Sequence, residues 1–406
     1  MKILHTADWH IGKQLHKYPL EEDHRLFLDW LGDLIEERRI DLLLVAGDVF
    51  DTAFPSSAAL TLYYRFLQRL IGCRCRVVIT GGNHDSPGVL NAPREILRHM
   101  DVRIVGCATD DCADSLLIFD DLNLAIAAVP YLRDVDLRRS VSGQSYDDRS
   151  EAIRQGIRQH YQRHLDLHQA QYRGLTLFGM GHLYVQGATV SDSEREIHAV
   201  GGLAAFSCDH FPEGFDYLAL GHIHKPQKLS ERVRYSGSPL PLSFSERHDP
   251  KYLLELTLES DKPVQVEVLP TPRLRELRTF TGSLDEVWES LQAFQAQGTL
   301  EALLELNVVE PTFDPQKSVR FDLLLREFEK ADFRIIKPRL TFENRLKEAD
   351  ELFSVGTDIE DLTPREVFLR RLAAEQLDEP TQALLLEAFE ELLTEVDEAH
   401  SFPPQT

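Results

Sequence analysis

The 406-residue chain lacks several features that would define its class at once. It contains no apolar run of the roughly 18 residues that a membrane-spanning helix needs. The opening segment, MKILHTADWH, becomes polar too early for a secretory signal peptide. The five cysteines form no CxxC pair, which argues against a disulfide framework and favours reduced thiols in a cytoplasmic protein.

The chain also lacks an excess of positive charge. Its formal net charge is −23, and the first 342 residues contain no basic stripe. The segment from Glu343 to Thr406 is especially acidic, with a net charge of −12. This charge argues against a nucleic acid as partner, unless binding depends on bound metal, on a few local Arg or Lys contacts, or on a second subunit.

The order of apolar segments predicts more than one domain, as the chain is long for a single core. Buried-strand and amphipathic-helix patterns alternate and are followed by further strands, which predicts an α/β sandwich with sheets inside and helices outside. A β-α-β-α-β pattern then follows Pro270 and Pro272. We expect domains at 1–270 and 271–343, an acidic linker at 344–362, C-terminal helices at 363–397 and a tail at 398–406.

Short polar motifs lie at the predicted ends of strands. They are Asp8-Trp9-His10, Gly47-Asp48-Val49-Phe50-Asp51, Gly82-Asn83-His84-Asp85, Gly181-His182 and Gly221-His222-Ile223-His224. A spacing of two in extended backbone places both side chains on one face. Each motif alone has an ordinary structural explanation, such as an Asx turn. Their occurrence together, each after an apolar run, indicates a common site.

The side chains in these motifs are typical of a site for two divalent metal ions. Carboxylates, an amide and imidazoles without a thiolate suit manganese, iron or zinc with expanded coordination. Seven such residues are too many for one ion, and Asp48 is the natural bridge between two ions about 3.5–4 Å apart. The predicted ligands are Asp8, His10, Asp48, Asn83, His182, His222 and His224.

This set of motifs resembles the calcineurin-like metallophosphoesterases. The longer segments HTADWHIG, VAGDVFDT, GGNHDS, LGHIHKPQ and YSGSPLPLSF are similar to the SbcD family of nuclease subunits within that class. The resemblance implies a four-layer α-β-β-α sandwich with a small α+β capping domain and C-terminal partner-binding helices. It also implies a DNA exonuclease and endonuclease, two manganese ions, and an SbcC-like SMC-type ATPase as partner.

The resemblance further implies which residues bind each metal and which residue acts on the substrate. One metal would be held by Asp8, His10, Asp48 and His224, and the other by Asp48, Asn83, His182 and His222. His84 would act on the substrate by protonating the departing sugar oxygen. Asp51 is the expected partner that orients His84, and Asp85 is the alternative.

A phosphoprotein phosphatase or a small-molecule phosphodiesterase built on the same metal core, or a scaffold without activity, would also fit the fold. Phosphoprotein phosphatases of this class usually carry Arg-Gly after the GDxxD motif, whereas Thr52 and Ala53 follow Asp51 here. A scaffold would be expected to lose ligands, and all seven are present together with His84. Both comparisons favour the nuclease.

Surface contacts are predicted less directly. The loop residues Lys13, Gln14 and His16 could approach a phosphate backbone, as could Arg133, Arg138 and Arg139. A solvated loop is the competing interpretation for all six. The resemblance implies a homodimer, within a heterotetramer, formed through apolar residues of the helices near 56–71 and 91–100. The stripe Leu385, Ala388, Phe389 and Leu392 would dock on the ATPase, unless it folds back on the capping domain.

Overall fold

The computed structural model describes residues 1–137, 146–189, 206–259, 262–330, 332–344, 365, 368–369, 372, 381–390 and 392. The chain divides into two compact units. The first contains Met1–Phe280, Ala293–Leu306 and Phe328–Pro338, and the second contains Thr281–Gln292, Asn307–Glu327 and Arg339–Thr406. The domain boundaries expected from the sequence stay predictions. Most of the acidic linker at 344–362 lies outside the described residues.

The regular elements are numbered here along the described chain. The strands are β1 (Lys2–Thr6), β2 (Gln14–Leu15), β3 (Tyr18–Pro19), β4 (Leu42–Ala46), β5 (Arg76–Thr80), β6 (Val102–Val105), β7 (Leu116–Phe119), β8 (Leu124–Ala128), β9 (Thr176–His182), β10 (Tyr217–Gly221), β11 (Gln227–Lys228), β12 (Val233–Tyr235), β13 (Tyr252–Thr257), β14 (Gln265–Pro270), β15 (Leu277–Gly282), β16 (Ala302–Glu310) and β17 (Phe333–Phe342). The helices are α1 (Glu21–Arg38), α2 (Ser57–Cys73), α3 (Pro87–Asn91), α4 (Arg94–Arg98), α5 (Asp134–Leu137), α6 (Tyr146–Gln171), α7 (Leu284–Ala293) and α8 (Pro315–Glu327).

Two six-stranded sheets form the centre of the first unit. Their strand orders are β14-β13-β1-β4-β5-β6 and β11-β12-β10-β9-β8-β7. One apolar cluster joins the inner faces of the two sheets, while α1 and α2 pack on the outer face of the first and α6 on that of the second. The α/β sandwich with helices outside is therefore confirmed.

Strand β4 illustrates why the apolar runs in the sequence become central strands. All five of its residues are buried. Leu43 and Val45 point towards the helices, whereas Leu42, Leu44 and Ala46 point into the space between the sheets. A strand covered on both faces needs a continuous apolar run rather than an alternating one.

Some elements differ from the sequence prediction. The helix expected at 91–100 begins later, as α4, and a separate short helix, α3, ends at Asn91, because Pro93 lacks an N–H group to continue a helix and lies at the N-terminal boundary of α4. Edge strand β6 and helix α6 were not predicted. Helix α6 is strongly polar, so its narrow apolar stripe of Ile153, Ile157, Tyr161 and Leu165 is easily missed.

The later part of the chain follows the predicted alternation. Strand β15, helix α7, strand β16, helix α8 and strand β17 succeed one another, and the strands form a three-stranded sheet in the order β15-β16-β17. Residues 381–390 are helical. Among the described residues, no helix combines the length and apolar character needed to cross a bilayer.

Candidate metal centre

The parallel strands of both sheets end at the site. Strands β1, β4 and β5 run parallel in neighbouring register, so Asp8, Asp48 and Asn83 follow their carboxyl ends at one edge. Strands β9 and β10 are also parallel, and Gly221 pairs with His182. The carboxyl ends of parallel strands are where α/β folds commonly place their ligand-binding residues. The fold thus brings residues separated by more than 200 positions to one place.

Several of these residues have a left-handed backbone. The φ angles are 53° at Asp8, 47° at His10, 49° at Asp48 and 96° at His222. Such angles are uncommon for residues other than glycine and mark places where the surroundings enforce a sharp turn. Here Asp8 donates its N–H to the carbonyl of Gly47 and His10 donates to that of Asp48, both at 3.0 Å. The two loops therefore hold each other in the strained conformation.

Asp48 lies at the centre of the cluster. Its Oδ2 is 3.5 Å from Nε2 of His10 and 3.3 Å from Nε2 of His182. Its Oδ1 accepts the main-chain N–H of His84 at 2.9 Å, which fixes the orientation of the carboxylate. One carboxylate oxygen thus faces imidazoles from both sheets.

Asn83 joins the two histidines at the carboxyl ends of β9 and β10. Its Oδ1 lies 3.0 Å from Nε2 of His182 and 3.0 Å from Nδ1 of His222. On the other side of Asp48, the rings of His10 and His224 have centroids 5.0 Å apart. All seven predicted ligand residues therefore converge.

Two buried atoms of the cluster have no hydrogen-bond partner. They are Oδ2 of Asp8 and Nε2 of His10. Buried polar atoms are rarely left unpaired, because an unmade hydrogen bond costs about 1–3 kcal/mol. Two groups of side chains, Asp8-Asp48-His182 and His10-Asp48-His84, also have the spacing of a metal site and share Asp48. The residues therefore fit divalent cations.

The pKa values of the cluster are shifted because several ionisable side chains are buried close together. Burial raises the pKa of Asp8 to about 7. Burial opposes ionisation of Asp48 too, but the adjacent His182 holds the pKa of Asp48 well below its usual range. Burial also disfavours the charged form of His182. The nearby carboxylate of Asp48 outweighs this effect and raises the pKa of His182 to about 9. Without a cation the carboxylates thus need a proton or an imidazolium for compensation.

Two glycines leave room for the site. A Cβ atom at Gly47, where φ is +85°, would lie 2.1 Å from Nδ1 of His182. A Cβ atom at Gly82 would lie 2.1 Å from Oδ1 of Asp48. No larger residue fits either position unless the cluster moves.

His84 is oriented by a main-chain group. Its Nδ1 lies 2.8 Å from the carbonyl oxygen of Asp51. The carboxylate of Asp51 instead approaches Nδ1 of His10 at 3.2 Å and Nζ of Lys13 at 3.0 Å. The carboxylate of Asp85 accepts the main-chain N–H groups of Val49, Phe50 and Gly82. Asp51 is thus the residue that contacts His84, through its carbonyl, and Asp85 holds two site loops together.

The predicted DNA-contacting residues have different surroundings. Lys13 is half-buried and paired with Asp51, so its charge is already engaged. Gln14 and His16 are exposed, and His16 stacks on Phe244 with ring centroids 5.9 Å apart. Arg133 is exposed and forms an ion pair with Asp136. Arg138 and Arg139 lie outside the described residues.

Glu246 is a residue of the site that was not predicted from the sequence. Its Oε1 lies 3.0 Å from Nδ1 of His224, and its Oε2 lies 2.6 Å from Nζ of Lys251. Glu246 follows YSGSPLPLSF by two residues, and a carboxylate just after this segment is a signal that could have indicated it.

Comparison with known proteins identifies the class of this fold and site. Residues 1–226 match the calcineurin-like phosphoesterase family, and residues 273–376 match a family described as the type 5 capsule protein repressor C-terminal domain. The chain belongs to the calcineurin-like phosphoesterases, which are hydrolytic enzymes.

Curated relatives narrow this assignment to the SbcD family. The SbcD subunit of the nuclease SbcCD from Escherichia coli K12 is 33% identical over 96% of this chain and 97% of its own. The corresponding SbcD subunit from Bacillus subtilis is 32% identical over 65% of this chain and 67% of its own. This chain is thus a member of the SbcD family of nuclease subunits.

A solved structure also matches at a distance. The dimetal phosphatase from Danio rerio is 13% identical, covers 66% of this chain and 96% of its own, and has a TM-score of 0.40. This likeness is too weak to bear on the assignment.

Proposed function

We propose that this chain is a two-metal DNA phosphodiesterase that acts as the nuclease subunit of an SbcC–SbcD-type complex. The position of Asp48 carries the proposal. One oxygen of this carboxylate lies within 3.5 Å of an imidazole from each sheet. That position suits a carboxylate shared between two cations, which is the arrangement of many phosphodiester-cleaving sites.

We assign one cation to Asp8, His10, Asp48 and His224, and the other to Asp48, Asn83, His182 and His222. The unpartnered Oδ2 of Asp8 and Nε2 of His10 support the first assignment. The oxygen of Asn83 between His182 and His222 supports the second. Bound cations would supply Lewis acidity for phosphate oxygens and an acidified water as nucleophile near neutral pH. Manganese suits this mixture of oxygen and nitrogen ligands.

We assign the role of general acid to His84. A carbonyl oxygen can only accept a hydrogen bond, so the contact with Asp51 places a proton on Nδ1 of His84. In the doubly protonated imidazolium, Nε2 is then the nitrogen that passes a proton to a substrate, which leaves the neutral Nδ1–H ring. A departing sugar oxygen is a poor leaving group, and protonation of it contributes about 10²–10⁴-fold to a rate.

The relatives also support a partner and a substrate. Their name describes one subunit of a larger nuclease, SbcCD. We therefore propose an SbcC-like SMC-type ATPase as partner, a homodimer of this chain within a heterotetramer, and a cytoplasmic location. We further propose ATP-dependent 3′–5′ exonuclease activity on duplex DNA and endonuclease activity on single strands and hairpins. The net charge of −23 favours a partner that supplies much of the DNA-binding surface.

One experiment tests the activity. The purified chain, with and without its ATPase partner, is incubated with Mn²⁺ and end-labelled linear, hairpin and single-stranded DNA. We expect manganese-dependent release of nucleotides, absent from an Asp48→Asn variant. Hydrolysis of p-nitrophenyl phosphate without any cleavage of DNA would contradict the proposal and indicate a phosphatase.

A further inference from the structure

The segment YSGSPLPLSF, residues 235–244, distinguishes the chain in sequence, yet it contributes no predicted metal ligand or acid. In the structure it passes directly beside His224. Gly237 has φ +72°, and a Cβ atom there would lie 2.6 Å from the carbonyl oxygen of His224. The next residue, Ser238, donates its main-chain N–H to the same carbonyl at 3.1 Å. The segment therefore holds the backbone of His224.

The ring of His224 is held by Glu246, which follows the same segment by two residues. Oε1 of Glu246 lies 3.0 Å from its Nδ1. Glu246 is 1% exposed, and its Oε2 also accepts the main-chain N–H of Leu242 at 3.1 Å. Since an ionised carboxylate can only accept, this contact places the proton of the ring on Nδ1. Nε2 of His224 then carries the lone pair that a cation needs.

Lys251 completes the arrangement. Its Nζ lies 2.6 Å from Oε2 of Glu246, 2.7 Å from Oγ of Ser238 and 3.1 Å from the carbonyl oxygen of His224. Its side chain is 8% exposed and that of Glu246 is 0% exposed, so the pair is shielded from water. A buried carboxylate without its cation would be strongly unfavourable, and Lys251 provides the compensation.

We propose that Glu246, held by Lys251 and the 235–244 segment, is a positioning residue that fixes the ring orientation and tautomer of His224 for metal binding. This inference rests on the proposed two-metal function. Carboxylates that accept from the second nitrogen of a metal-binding histidine raise its basicity as a ligand. Asp51 stands in the same relation to His10 at 3.2 Å, whereas Nδ1 of His182 donates to the carbonyl of Ala46 at 2.9 Å and lies 3.9 Å from Oδ1 of Asp8.

The two proposed cation sites differ in the groups behind their histidines. Both imidazoles of one proposed site have a carboxylate within hydrogen-bond distance of Nδ1, while the hydrogen-bond partner of Nδ1 of His182 in the other is a neutral carbonyl group. Removing the charge of Glu246 is therefore expected to weaken the binding of the manganese ion held by His224, and not the binding of the other ion. Loss of such a partner typically lowers metal affinity about 10–100-fold.

The test measures Mn²⁺ binding itself, by equilibrium dialysis with metal analysis and by electron paramagnetic resonance, on the full chain without DNA. We expect the wild type to bind two ions and Glu246→Gln to bind one of them about 10–100-fold more weakly. Glu246→Asp, which keeps the charge, is expected to recover part of the affinity. Nitrogen-15 resonances of His224 should show the Nδ1–H tautomer in the wild type and a mixture in Glu246→Gln.

A double variant distinguishes a loss of His224 positioning from a loss of stability. Glu246→Gln/Lys251→Met removes both charges, so no buried ion is left unpaired. It is expected to melt close to the wild type and still to bind one ion weakly. The matched control is Asp23→Asn/Arg275→Met, which removes another buried ion pair of the same unit and should leave both ions bound.

The outcomes distinguish the two proposals. Two ions bound by Glu246→Gln with wild-type affinity would overturn the positioning role alone. A wild type that binds no Mn²⁺ would overturn the proposed function, and this inference with it. Equal weakening of both ions in the folded double variant would also contradict the selective role of Glu246.

Discussion

The carboxylate of Asp8 accepts the main-chain N–H of His222 at 2.9 Å, a contact between residues 214 positions apart. Asp8 follows the first strand of one sheet and His222 follows a central strand of the other. The bond thus fixes the two sheets to each other at the edge where the ligands lie. A site formed in this way depends on the sandwich and cannot assemble from any one motif.

Replacement of Asp48 with asparagine is expected to remove both cations. An amide offers one oxygen and no charge, so it cannot replace a carboxylate that faces His10 and His182 together. We expect Mn²⁺ stoichiometry to fall from two to below one, and DNA cleavage to fall to the level of the buffer alone. Asp121→Asn, on an exposed carboxylate paired with Arg76, is the control and should change neither value.

Replacement of His84 with alanine should separate metal binding from catalysis. Two Mn²⁺ ions should remain bound, while cleavage of DNA slows by about 10²–10⁴-fold because the sugar oxygen leaves unprotonated. A thymidine p-nitrophenyl phosphodiester has a leaving group that needs no proton, so its hydrolysis should slow far less. Equal losses with both substrates would argue against His84 as the acid.

Much of this site was predictable because its ligands lie in short motifs after apolar runs. Strand β4 is buried on both faces, which its unbroken apolar sequence indicates, and the parallel register then places Asp48 beside Asp8. The atoms that hold these side chains were not predictable, although Asp51 is the partner expected for His84. The contact between His84 and Asp51 uses a main-chain carbonyl, which any residue possesses. Glu246 reaches His224 only because the 235–244 segment folds back, and no periodicity encodes that path.

A methyl group at Gly82 should disrupt the site more than the fold. The Cβ atom would stand 2.1 Å from Oδ1 of Asp48, so the carboxylate would have to move. We expect Gly82→Ala to lose Mn²⁺ binding and DNA cleavage. Gly72→Ala is the matched control, since a Cβ atom there meets nothing within 4 Å, and alanine should stabilise helix α2 by up to about 1 kcal/mol. Normal metal binding by Gly82→Ala would show that the loop yields more easily than the structure indicates.

The buried ion pair between Arg275 and Asp23 should matter more to stability than an exposed pair. Nε and Nη2 of Arg275 lie 2.8 and 2.9 Å from the two oxygens of Asp23, and both side chains are nearly inaccessible to water. Arg275→Met leaves a buried carboxylate uncompensated, which should lower the free energy of unfolding by about 3–5 kcal/mol. Arg25→Met, in a solvent-exposed pair with Glu22, should lower it far less. Equal shifts in urea denaturation would contradict this difference.

The helix at 381–390 is the remaining predicted contact with the ATPase. Leu385 is 40% exposed and Leu392, just beyond it, is 57% exposed, whereas the ring of Phe389 stacks on Phe368 with centroids 3.9 Å apart. Apolar side chains left open to water on a short helix favour a docking surface for another helix.

We therefore expect deletion of 363–406, and more selectively Leu385→Glu/Leu392→Glu, to abolish co-purification with the ATPase while two Mn²⁺ ions still bind. Leu323→Glu, on an equally exposed leucine of α8, is the control and should leave the complex intact. Retention of the ATPase by the deleted chain would place the contact elsewhere. If the segment instead folds back on the capping domain, the leucine double variant should release it, and limited proteolysis should then cleave it faster than in the wild type.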